Sequence, residues 1–283
     1  MSIFTHLRQT PRRAARWLAA GGLGAAMAVA LLVSAATTTL AAPQDNPCPQ
    51  PVTLSCAINF GNTQIDNRTT SLNTLNGKVT AQLNAGHINS TQAGVITSDV
   101  STNQSGLAAL KTKLDADTTL TDARTDIKSI YTNFRIYAVV LPRDYNEVWL
   151  DIVTNVQGTM SGKISTIQTA INDVSNLGDK DNDGDLATIN AAFSDYQAQL
   201  TAAQGQINTA NGLLPQFTPA NFNADPSGYK GNWDAFRAAI KSAHGDILAG
   251  ASDLHKIAAV IKDLINEQGL APGATDPNEP SLP

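Results

Sequence analysis

Asp179-Lys180-Asp181-Asn182-Asp183-Gly184-Asp185-Leu186 carries carboxylates at alternate positions followed by glycine, the D-x-D-x-D-G front half of an EF-hand calcium loop. The spacing has a chemical reason. A hard cation takes oxygen ligands, and alternate residues of a tight loop turn their carboxylates inward. Gly184 sits where such a loop bends most sharply, the backbone carbonyl of Asp185 is the next ligand, and Leu186 is apolar as the pattern asks. The back half departs from it: Ala187 offers no side-chain oxygen at the ninth position, and Asn190 replaces the bidentate glutamate at the twelfth. The expected ligands are Asp179, Asp181, Asp183, Asp185 and Asn190, the expected ion is calcium, and the expected dissociation constant is about 10⁻⁴–10⁻³ M. An acidic turn without an ion is the competing reading, since Asp and Gly form turns and acids favour the start of the next helix. Against it, four aspartates with only Lys180 among them repel one another.

Cys48 and Cys56 are the only cysteines. An isolated even pair in an exported chain points to a disulfide, stapling an extended segment rather than the core. Free thiols are the main alternative; a metal site is a weaker one, because no histidine or further cysteine stands nearby. Other chemistry fails on spacing. His244 and His255 lie about 16 Å apart if helical, too far to share an ion. Gly158-Thr-Met-Ser-Gly162-Lys163-Ile164 is one residue short of a phosphate loop, and Ile164 stands where magnesium needs a hydroxyl. Neither G-x-S-x-G nor H-E-x-x-H occurs. Residues 131–149 gather Tyr131, Phe134, Tyr137, Tyr145 and Trp149 with Arg135 and Arg143. That reads as a packed bundle corner, with a binding groove as the alternative.

The elements that must hold these residues are helices. Apolar side chains recur at spacings of three and four along most of the chain. The expected helices cover 64–85, 91–116, 120–135, 144–177, 186–214 and 230–268. The last two carry the clearest stripes, Leu186, Ile189, Phe193, Tyr196, Leu200, Ala203, Ile207, and Phe236, Ile240, Ala243, Ile247, Leu254, Ile257, Ile261. The run Arg135–Leu141 is β-branched and aromatic and fits either a helix end or an extended link. The expected fold is all-α, an elongated bundle of long antiparallel, coiled-coil-like helices. Its expected division is 1–42 signal peptide, 43–63 extended segment with the cysteine pair, 64–143 N-terminal helical part, 144–268 long-helix bundle and 269–283 disordered tail.

Residues 1–42 have the plan of an export signal. Arg8, Arg12, Arg13 and Arg16 precede an apolar stretch from Leu18 to Val33, and Thr39-x-Ala41 and Val33-x-Ala35 both fit a small-residue cleavage rule. The apolar stretch is short for a span, which needs about 20 residues. Cleavage is therefore expected and no membrane span after it. Arg12-Arg13 leaves the twin-arginine route open beside the general one. All 24 acidic residues lie beyond the signal, whereas four of the 19 basic ones lie within it, so the remainder is strongly acidic. That disfavours nucleic acid and anionic lipid as partners.

Leu107-Ala108-Ala109-Leu110-Lys111, Asp126-Ile127-Lys128-Ser129-Ile130-Tyr131, Phe134-Arg135-Ile136-Tyr137, Leu141-Pro142-Arg143 and Thr218-Pro219-Ala220-Asn221-Phe222-Asn223-Ala224-Asp225-Pro226 form a second pattern. On these segments the chain resembles a group of uncharacterised secreted helical proteins of Gram-positive, high-GC-type bacteria, over about residues 64–266. The resemblance implies an exterior location and a helical fold, and no activity. The expected function is a non-enzymatic, exported helical protein with a structural calcium loop, secreted or held at the cell surface by an extracellular partner. The alternative is a secreted enzyme or enzyme accessory whose site forms only in the fold.

Overall fold

The computed structural model describes residues 48–176 and 183–267, and every element among them is helical. The export signal, residues 177–182 and the proline-rich tail lie outside the described residues. Eight α-helices follow in order: α1 (Leu54–Asn84), α2 (Ser90–Asp115), α3 (Leu120–Ser129), α4 (Leu141–Ser161), α5 (Ile164–Ser175), α6 (Asp185–Leu213), α7 (Pro219–Ala224) and α8 (Pro226–Glu267). Two π-helical turns, Ile130–Phe134 and Ile136–Val140, join α3 to α4, and a 3₁₀ turn, Leu214–Gln216, follows α6. None of these helices is long and apolar enough to cross a membrane.

The described chain forms two compact units. One comprises 48–155 and 206–241. Its core is the 3–4 stripe of α1 (Ile65, Leu72, Leu75, Val79) against Ile96, Val100, Leu107 and Leu114 of α2, with Ala123, Ile130, Ile136 and Val140 alongside. At Gly61, α1 packs tightly on its neighbours: an added Cβ would lie 2.5 Å from Leu114 Cδ2 and 2.9 Å from Ile127 Cγ1. Alanine would gain about 1 kcal/mol of helix propensity there, but overpacking costs about 1–3 kcal/mol. Two side chains would have to move at once, so Gly61→Ala should destabilise the protein by about 1–2 kcal/mol in urea unfolding. A variant more stable than the parent would refute this packing.

The other unit comprises 156–176, 183–205 and 242–267. Ile167, Ile171 and Val174 of α5, Ile189, Phe193, Tyr196 and Leu200 of α6, and Ile247, Leu254, Ile257, Ile261 and Leu264 of α8 are buried in it. Tyr196 is fully buried and donates its hydroxyl to Met160 O at 2.7 Å, so its polar end is satisfied. The stripes expected on α6 and α8 are the faces the fold buries.

Several expected boundaries move. The first helix starts at Leu54, because the Thr53 side chain caps it by accepting from Cys56 N. Residues 54–63 are therefore helical, not extended, and the Cys48–Cys56 disulfide ties the chain to a helix start. The second helix starts at Ser90, because Asn89 caps it in a reciprocal capping box with Gln92. The expected helix over 144–177 is two helices, separated at Gly162 and Lys163, because a glycine there tolerates the break that the apolar stripe conceals. The run 136–140 is neither an α-helix end nor a strand but a π turn.

Candidate functional site

Three carboxylates from two distant stretches of the chain converge at the start of α6. Oxygens of Asp183, Asp185 and Glu267 all lie within 4.8 Å of one another, close enough to share a metal ion. Asp183 Oδ1 accepts from Asp185 N at 3.1 Å, which folds the turn back on itself. Gly184 has φ +96°, in the left-handed region that favours glycine, as the sixth position of a calcium loop demands. Glu267 is the last residue of α8. Three anionic oxygens so close repel unless a cation or proton offsets them.

Of the ligands expected from sequence, Asp183 and Asp185 are brought together, and Asp179 and Asp181 lie outside the described residues. Asn190 is exposed and its Nδ2 donates to Leu186 O at 2.6 Å, so part of its amide is engaged by its own helix. Glu267 was not foreseeable, since no local pattern links residue 267 to a loop so far back in the sequence.

A second acidic cluster lies in the unit of 48–155 and 206–241. Arg143, at the start of α4, takes Asp144 Oδ1 at 2.7 Å through both Nε and Nη2, pairs with Asp99 of α2, and reaches Phe217 O at 3.4 Å. Asp99 also accepts from Asn103 Nδ2 at 3.0 Å. One and two helical turns beyond Asp144 stand Glu147 and Asp151. Asp151 Oδ1 accepts from Gln92 Nε2 at 3.1 Å, and Gln92 Oε1 in turn accepts from Asn155 Nδ2 at 2.9 Å. Burial is the main cause of the raised pKa values along this row: Asp144 is pushed up to about 7, Asp151 to about 7, and Glu147 above the usual carboxylate range.

The junction between α3 and α4 is the third concentration of polar groups. Arg135 adopts φ +45°, ψ +40°, a left-handed conformation uncommon for a side chain other than glycine, between the two π turns. Its guanidinium lies 4.5 Å from the centre of the Phe222 ring, and Nε donates to Asn223 Oδ1 at 2.6 Å. Asn223 returns a bond from Nδ2 to Thr132 O at 2.7 Å. Arg68 is buried between the rings of Tyr131 and Tyr137, 4.8 and 4.9 Å from their centres, and burial lowers its pKa. The aromatic and arginine side chains of 131–143 thus pack against α1, α2 and α7, as a bundle corner does.

His87 is held by Gln82 Oε1 at 2.8 Å, and no histidine joins a metal-competent group among the described residues. Comparison with protein-family models, curated proteins and solved structures finds no match for this chain.

Proposed function

We propose that this is an exported, non-enzymatic helical protein that holds a structural calcium ion where the start of α6 meets the end of α8, and that it serves a binding or structural role at the cell surface. The supporting observation is that Glu267 approaches Asp183 and Asp185, two acids of a D-x-D-x-D-G segment. The oxygen-only donor set suits a hard cation, and calcium tolerates an irregular loop better than magnesium does. Glu267 would supply the carboxylate that Asn190 cannot. Bound there, the ion would tie the turn before α6 to the C-terminal end of α8.

The enzyme alternative has its best acid–base groups in the row on α4, where raised pKa values suit proton transfer near neutrality. Asp144 is fully buried, however, which puts it out of a substrate's reach. The test uses protein recovered from the culture medium, with its mass reporting whether residues 1–42 have been removed. Calorimetric titration with calcium should give one site of about 0.1–1 mM, lost in Asp183→Asn and in Glu267→Gln. No heat at about 10 mM calcium, or binding unchanged by both substitutions, would sink the calcium reading. An intact Met1 would sink cleavage.

A further inference from the structure

We propose that the row Asp144, Glu147 and Asp151 on α4, with Arg143 and Asp99, is a proton-operated latch between α2 and α4, closed while the row holds protons and loosened when it ionises.

The charges do not balance. Asp99, Asp144 and Glu147 share one guanidinium, Asp99 and Asp144 by direct contact, and Asp151 adds a fourth carboxylate beside Glu147. Asp144 has no solvent exposure. Its Oδ1 accepts from Arg143, but its buried Oδ2 has no hydrogen-bond partner. A carboxylate in that state leaves one oxygen of a buried anion unsolvated, which is costly. A proton removes the charge and leaves Oδ1 free to accept from Arg143. A metal ion does not answer the need: among the described residues, the acidic groups close enough to share an ion are Asp183, Asp185 and Glu267.

The neighbours on the other elements do not supply the missing positive charge. From α2, Asp99 and the neutral Gln92 face the row. From α8 comes Tyr229, whose phenol lies near Arg143 and is pushed up to about 12 by burial, so it stays neutral. From α1, Lys78 sits over the Tyr145 ring at 4.8 Å. The bonds that cross from α2 to α4 are Asp99–Arg143, Gln92–Asp151 and Gln92–Asn155. Ionising the whole row would set three negative charges within two turns of α4 against Asp99, across that same seam.

The sign follows from linkage. Asp144 and Asp151 have raised pKa values in the folded state, so the folded protein keeps protons that the unfolded chain releases. Their stabilising effect is complete below the unfolded value near 4 and is lost as pH rises through about 7. Each retained proton lowers the folding constant about tenfold per pH unit within that window.

The experiment is urea unfolding of the parent, Asp144→Asn and Asp151→Asn between about pH 4.5 and 8.5. The ratio of variant to parent folding constants should rise about tenfold per pH unit up to about pH 7 and then level off. A ratio independent of pH would overturn the proposal. Two measurements on the parent protein hold even if the variants fail to fold. Carbon-13 NMR of the aspartate carboxyls should find protonated groups at about pH 6, and complete ionisation there would refute the inference. Amide exchange, corrected for its intrinsic pH dependence, should show α2 and α4 losing protection together between about pH 5.5 and 8; unchanged protection would exclude a latch.

Discussion

Replacing Phe217 with alanine should lower the unfolding free energy by about 3–5 kcal/mol, the range for emptying a buried aromatic site. Phe217 is fully buried just after the 3₁₀ turn that ends α6. Its ring meets Tyr229 and Trp233 edge-on, with centres at 5.4 and 5.0 Å, and Phe236 at a tilt, also at 5.0 Å. Each such pair adds about 0.5–1.5 kcal/mol beyond area burial. Tyr229, Trp233 and Phe236 all stand on α8, a rigid wall that cannot collapse onto the hole. Urea unfolding measures the loss, and a cost below about 1.5 kcal/mol would mean that the cluster repacks. Phe217→Leu, which keeps most of the volume, should recover more than half of it.

Arg143→Met should cost about 3–5 kcal/mol, the penalty for breaking a buried ion pair from one side. Methionine restores bulk but none of the bonds to Asp144, Asp99 and Phe217 O. The two carboxylates would then face each other with no cation between them. Part of the cost can be escaped by protonating Asp144, so the loss should be larger at about pH 8 than at about pH 5. Unfolding curves at the two pH values test this, and an equal loss at both would show that Arg143 acts through packing alone. Asp99→Asn, which removes a competing acid, should cost less than Arg143→Met.

Helix positions were legible where a single face is apolar for many turns. On α6 and α8 the stripes from Ile189 to Ile207 and from Phe236 to Ile261 are the buried faces. On α4 the apolar stripe and the buried face diverge. The apolar stripe Trp149, Ile152, Val156 and Met160 predicts the buried face; Met160 is buried, but the other three are half-buried, while Val148, Leu150, Val153 and Gln157 are buried. The true face includes Asp144, and a rule that keeps acids in water turns the helix away from it. Arg143 is what makes that burial tolerable, and adjacency in sequence does not disclose it. The π turns escaped for a different reason: their bonds follow neither the 3.6-residue nor the two-residue period. The start of α1 carried a readable signal, a threonine cap at residue 53, obscured by the cysteine and proline residues around it.

The candidate metal group was half legible. A local pattern supplied Asp183, Gly184 and Asp185, and chain folding alone supplied Glu267. The ring cluster of Phe217, Phe222, Tyr229, Trp233 and Phe236 is drawn from a turn, a short helix and a long one, over a stretch about as rich in aromatics as 131–149.

Neither compact unit is a continuous stretch of chain, since residues 206–241 belong with 48–155 while 242–267 belong with 156–176 and 183–205. The protein is therefore poorly divisible. A fragment ending at Asn155 would lack Phe217, Tyr229 and Phe236 and the carbonyl that Arg143 reaches. A fragment beginning at Val156 would keep Asp183, Asp185 and Glu267 but would carry residues 206–241 without their packing partners. No single cut releases both units whole, and function in this chain is better mapped by point substitution than by truncation.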